Sequence, residues 1–94
     1  MSIQEARKIF IDYLKKLDRA HSTLIAYDKD IEQLAKFMEA RDKIEPADVD
    51  LEDLQDFMKH FLEKGYTPKT VSRKTNSTKT FFSFLKEKSL VDVD

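Results

Sequence analysis

The sequence predicts an all-α fold, a compact bundle of four helices, and three observations predict it. Apolar residues recur at spacings of three and four in four separate segments. No stretch alternates with period two, so nothing reads as a strand. The one Gly and the two Pro, at Gly65, Pro46 and Pro68, fall between those segments or at the start of one, never in an interior. A chain of 94 residues with 40% hydrophobic content makes one small domain with one modest core.

The first helix is expected over residues 3–17. Ser2 and Glu5 have the spacing of a capping box, in which each side chain satisfies the other's free backbone N–H. Ile3, Ala6, Phe10, Tyr13, Leu14 and Leu17 form its apolar stripe. The second helix is expected to follow Ser22 as N-cap and to run to about Arg41. Leu24, Tyr27, Ile31, Leu34, Ala35 and Met38 make its buried face, while Ile25, Lys29, Gln33 and Lys36 point outward. Residues 42–50 are a polar connection. The third helix starts at Asp50, with Asp53 adding negative charge at its positive end. Leu51, Leu54, Phe57, Met58, Phe61 and Leu62 are its apolar residues, and Gly65 is the left-handed residue just past its end. The fourth helix has Thr67 as N-cap and Pro68 at the first helical position, where a missing N–H costs nothing. It runs to about Lys88, with Val71, Thr78, Phe81, Phe82 and Leu85 on one side. Phe84 falls nearer the polar side.

Composition excludes several function classes. There is no Cys, so disulfides and thiolate metal sites are absent. His21 and His60 stand apart, without further ligands at zinc spacing. No Gly-rich phosphate loop and no nucleophile–base arrangement is present, and neither a metal nor a cofactor is expected. No apolar run approaches the ~20 residues of a membrane span, and no signal peptide precedes the first helix, so a cytoplasmic location is the default and no membrane contact is expected.

The net charge of −1 hides an asymmetry. Residues 1–63 carry 10 basic and 15 acidic residues; residues 68–88 carry 6 basic and 1 acidic. A basic helix on an acidic domain is a directional feature. Its first turn offers free N–H groups and a positive dipole end, which favour phosphate. Lys69, Thr70, Ser72 and Arg73 sit there. Arg73 and Asn76 have the chemistry to read base edges, since Arg pairs with guanine and Asn with adenine. Ser77 and Thr80 add short polar side chains, and Lys74 and Lys79 flank the face as candidate phosphate neutralisers. On the second helix, Ser22, Thr23, Ile25 and Lys29 offer a second contact, with Ile25 suited to a thymine methyl. Two other readings stay open from these residues. One is a helical protein–protein interaction module that docks its basic helix on an acidic partner. The other is a stand-alone transcriptional regulator, for which the sequence shows no dimer interface.

Two blocks carry a family resemblance. Ser22-Thr23-Leu24-Ile25-Ala26-Tyr27 with Asp30-Ile31, Leu34 and Phe37 is one. Gly65-Tyr66-Thr67-Pro68-Lys69-Thr70-Val71-Ser72-Arg73 with Asn76-Ser77 and Phe81-Phe82-Ser83-Phe84-Leu85 is the other. In order and spacing they resemble the SAM-like core-binding domain of tyrosine recombinases, the phage integrases and Xer-type recombinases. The resemblance covers about residues 3–90. It implies that residues 1–90 form a core-binding domain that holds double-stranded DNA, with its second and fourth helices toward the major groove. It also implies contacts with neighbouring recombinase protomers, although the domain alone is expected to be a monomer. Thr23, Lys69, Ser72, Arg73, Asn76 and Lys79 are the DNA contacts it favours, and Tyr27, Leu34, Phe37, Phe81, Phe82 and Leu85 are core. The family's catalytic Arg, Lys, His-x-x-Arg and nucleophilic Tyr have no counterpart in this sequence, so the domain is not expected to cut DNA. Residues 91–94 look like the start of a linker to a catalytic domain. The sequence departs from the family at Thr75 and Thr78, where aliphatic residues are usual. A buried Thr there must hydrogen-bond its hydroxyl, and the carbonyl of the preceding turn is the nearest acceptor.

Overall fold

The computed structural model describes residues 1–90. It contains four α-helices: α1 (Ile3–Lys16), α2 (His21–Glu39), α3 (Leu51–Glu63) and α4 (Pro68–Glu87), with a 3₁₀ turn at Pro46–Asp48 between α2 and α3. No strand occurs among the described residues. Residues 91–94, the expected linker, lie outside them. α2 and α4 form the middle of the bundle; α1 packs on both, and so does α3.

The helix starts follow local chemistry. The Glu5 N–H donates to Ser2 Oγ at 3.0 Å, and the Ser2 N–H donates to Glu5 Oε1 at 2.9 Å. Thr67 caps α4, with Pro68 in its first turn. α3 has its own capping box: the Asp53 N–H donates to Asp50 Oδ1 at 2.8 Å, and the Asp50 N–H donates to Asp53 Oδ2 at 3.0 Å. α2 differs from expectation. It begins at His21, Ala20 occupies the cap position, and no side chain caps it. Ser22 therefore sits inside the first turn. The reason is the shortness of the α1–α2 corner, which leaves Ala20 as the last residue before the helix.

All four helices end by the same device. Asp18, Asp42, Gly65 and Ser89 adopt positive φ, at 56°, 61°, 90° and 56°. The next residue's N–H returns to a carbonyl of the last turn, as in Arg19 to Leu14 at 3.3 Å and Tyr66 to Phe61 at 3.1 Å. Lys43 to Met38 and Leu90 to Leu85 repeat it, each at 2.8–2.9 Å.

The core centres on Phe10, Ile31, Leu34, Met38, Phe81 and Leu85, all sealed from solvent. Phe10 stands edge-on to Tyr27 and Phe81, with ring centroids 5.6 and 5.4 Å away. Phe84 is buried, not turned to the polar side: α1 packs on α4, and the Phe84 ring fills the space between Phe10 and Tyr13. Leu17, Leu51 and Leu62 lie at the ends of their helices and are exposed, since neighbouring helices do not cover those ends. Tyr27, Phe37 and Phe82 are half-buried against the core. Thr75 and Thr78 donate to the Val71 and Lys74 carbonyls at 2.9 and 3.0 Å, which satisfies their hydroxyls without a partner across the core.

Asp53 does more than charge a helix end. Its buried carboxylate also accepts from Arg41 at 2.7 Å and from Lys43 at 2.6 Å, tying the α2–α3 connection to α3. Burial alone would raise its pKa. The hydrogen bonds from Lys43, the Asp50 N–H and Arg41 outweigh burial and hold it at about 2.

A carboxylate with a depressed folded pKa stabilises the fold above its unfolded value of 3.8 and loses that contribution as pH falls toward 2. The carboxylate is buried but its Arg41 and Lys43 partners are about one-third exposed, so its share is on the order of 1 kcal/mol. Urea unfolding from pH 6 to pH 2 should therefore show a smaller acid loss in Asp53→Asn than in the parent protein. At Gly65 an added Cβ would meet nothing within 4 Å, so the cost of Gly65→Ala is purely backbone strain at φ +90°. About 1 kcal/mol of destabilisation is expected, whereas Asp42→Gly, which relieves a left-handed non-glycine, should stabilise the fold by roughly 0.5 kcal/mol.

Candidate nucleic-acid interface

α2 packs against α4, and a groove opens between the N-terminal part of α2 and the middle of α4. Ser22, Thr23, Ala26 and Tyr27 form one wall; Arg73, Asn76 and Ser77 form the other. Beneath it lies a polar cluster that joins the two helices. Asp30 is completely buried, and Lys74 on α4 is 3% exposed. Lys74 Nζ donates to Asp30 Oδ1 at 3.0 Å and to Gln33 Oε1 at 2.6 Å. The Ser77 hydroxyl donates to Asp30 Oδ2 at 2.7 Å. Arg73 Nη2 donates to Asp30 Oδ1 at 3.1 Å from the rim. The Lys74 ammonium also lies over the Phe61 and Tyr66 rings, 5.0 and 5.6 Å from their centroids.

This cluster corrects one expectation. Lys74 does not flank the outer face as a phosphate contact; it is the buried partner of Asp30. An ammonium within an apolar surround needs a counter-charge, and α2 supplies one directly opposite. Ser77 is likewise buried, with its hydroxyl committed to the carboxylate.

The structure brings Ser22, Thr23, Arg73, Asn76 and Ser77 together in the groove. Lys69, Ser72, Lys79 and Thr80 are exposed along α4, and Thr70 is half-buried in its first turn. The Thr70 N–H donates to Thr67 Oγ1 at 3.2 Å, and the Thr80 hydroxyl donates to the Asn76 carbonyl at 2.9 Å. Ile25, 55% exposed, and Lys29 lie on the outer side of α2 and do not line the groove. Tyr27 and Ala26, read from sequence as buried or unremarkable, complete its wall. The Asp30–Lys74 pair had a signal that spacing alone did not resolve. Asp30 follows Tyr27 and precedes Leu34 at helical spacing, and Lys74 falls between Val71 and Thr78 in the same way. Opposite charges inside two apolar stripes mark a buried pair.

The electrostatics differ between helix starts. α1 and α3 carry acidic residues in their first turns, Glu5 in one and Glu52 with Asp53 in the other. α2 and α4, the two that make the groove, carry none. Their positive dipole ends are therefore not neutralised from within. No group of His, Cys, Asp or Glu among the described residues has the geometry of a metal site. No helix among them is long and apolar enough to cross a membrane.

Residues 8–89 match the family described as phage integrase, N-terminal SAM-like domain. The tyrosine recombinase XerC of Roseiflexus sp. (strain RS-1) is 38% identical over 66 residues, which are 70% of this chain and 21% of that protein. The XerC of Chlorobaculum parvum is 35% identical over 71 residues, 69% of this chain and 21% of the relative. The XerC of Bacillus licheniformis is 31% identical over 85 residues, 88% of this chain and 28% of the relative. The chain thus spans between a fifth and a third of the length of these relatives. No solved structure matches it. The family match takes in α2, α3 and α4, most of α1 and both walls of the groove, so the chain belongs to the SAM-like N-terminal domains of tyrosine recombinases.

Proposed function

We propose that this chain is the part of a tyrosine recombinase that holds duplex DNA while a separate catalytic domain exchanges strands. The observation that carries this reading is the groove. The N-terminus of α2, without acidic residues, borders it, and hydroxyl, guanidinium and amide groups line it. Those are the groups that bind phosphates and read base edges. On this reading Arg73 and Asn76 face the bases. Ser22, Thr23, Lys69, Thr70, Ser72, Lys79 and Thr80 contact the phosphates on either side. Ile25 and Lys29 extend the contact along α2, and Ser77 supports the groove from below. Neighbouring recombinase protomers are the second class of partner, and cleavage chemistry lies outside this domain.

The acidic scaffold supports a single direction of approach. Many of its carboxylates are paired within the domain, as in Arg7 with Asp28 and Glu32 and in the Asp53 cluster, while α4 carries exposed cations with Glu87 as its one carboxylate. Duplex DNA is attracted to that side and repelled elsewhere.

Two measurements test the reading. In an NMR titration of the labelled domain with duplex DNA, salt-sensitive shifts should cluster on residues 22–33 and 68–80. A folded domain without such shifts at low salt would move the assignment to a protein-docking role. Arg73→Ala should weaken binding by roughly 1–3 kcal/mol if the guanidinium meets a base. Unchanged binding by the folded variant would remove Arg73 from the interface.

A further inference from the structure

Arg73 occupies an unusual place for an exposed cation. Its side chain is 48% exposed, yet one of its nitrogens is held by a carboxylate with no solvent exposure at all. Lys74 and Ser77 already provide Asp30 with a counter-charge and a donor to each oxygen. The fold therefore does not need Arg73 to satisfy that carboxylate. Nη1 and Nε of Arg73 have no hydrogen-bond partner among the described residues.

We propose that Asp30 is a positioning residue: it fixes the Arg73 guanidinium at the groove rim by one edge and leaves the other edge for a base edge or phosphate of duplex DNA. This deepens the DNA-holding reading above and rests on it. A planar guanidinium recognises acceptors through a fork of donors in fixed geometry. Held in advance, it loses less rotamer freedom on binding. Ordinarily a carboxylate near the DNA would repel it. Here one buried carboxylate faces two cations, so the cluster keeps a net positive charge toward the groove. Asp30 can thus orient Arg73 without turning the site acidic.

The experiment is a double-mutant cycle on duplex binding. The parent chain, Asp30→Asn, Arg73→Ala and the double variant are titrated at low salt against one labelled mixed-sequence duplex. Asp30→Asn should weaken binding roughly five- to tenfold when Arg73 is present and less than about twofold in the Arg73→Ala background. If Asp30→Asn does not fold, Asp30→Asn with Lys74→Met replaces it, because that pair leaves no buried charge unpaired. A spectroscopic readout in the free protein accompanies the cycle. The Arg73 side-chain Nη resonances should show slowed guanidinium rotation in the parent and lose it in Asp30→Asn. Equal losses in both backgrounds would overturn the proposal, as would fast Arg73 rotation in the parent. Tighter binding by Asp30→Asn in both backgrounds would overturn it too, by making Asp30 only a repulsive charge. The absence of duplex binding by the folded parent chain would overturn the DNA-holding reading itself, an outcome distinct from an additive cycle with binding intact.

Discussion

The architecture depends on one buried ion pair, Asp30 on α2 with Lys74 on α4. Apolar packing between helices is non-directional and tolerates small slides. A buried charge pair does not, because an ion removed from its partner and from water costs several kcal/mol. Asp30 also takes the Ser77 hydroxyl, and Lys74 also takes Gln33 and the faces of Phe61 and Tyr66. The pair therefore links α2, α4, the end of α3 and the turn that follows it. The register of α2 on α4 sets which side chains meet across the groove. Thr23, Arg73 and Asn76 share the groove above the point where Asp30 meets Lys74.

Polar contacts elsewhere follow the same pattern of joining elements where apolar surface is thin. Arg7 on α1 reaches Asp28 and Glu32 on α2. Arg41 and Lys43 reach Asp53 across the α2–α3 connection. These pairs lie toward the surface and each contributes modestly. They matter more for charge distribution. They use up basic side chains of residues 1–63 on local carboxylates, so the acidic excess there stays uncompensated and α4, with one carboxylate, is the basic element of the molecule.

Much of the fold was legible because its signals are rare in this sequence. Gly65-Tyr66-Thr67-Pro68 combines a left-handed residue, an N-cap and a helix-starting proline, and few other readings fit. Ser2 with Glu5 carries similar weight. Ends near residues 17, 41 and 88 were legible, but the left-handed turns at Asp18, Asp42 and Ser89 that close them were not, since those residue types occur throughout the chain and only the backbone reveals their positive φ. Ser22 misled for a related reason: α2 starts two residues earlier than a Ser22 cap would place it, so a good capping residue lies inside the first turn. Phe84 and Lys74 show the limit of helical periodicity. The stripe on α4 assumes one packing partner, but α1, α2 and α3 all pack on it, so its buried arc is wider than one stripe. The groove residues were legible as chemistry, as hydroxyls, an Arg and an Asn at helical spacing. Their convergence was not, because it depends on the α2–α4 register and hence on a charge pair separated by 44 residues.

The most direct measurement is a double-mutant cycle on stability, using Asp30→Asn, Lys74→Met and their combination, read by urea unfolding at neutral pH. If the pair fixes the two helices, each single change leaves a buried group unpaired and costs roughly 3 kcal/mol or more, while the double change costs clearly less than the sum. Additive losses, each within about 0.5 kcal/mol as for a surface position, would contradict the account and leave the register of α2 on α4 to apolar packing alone.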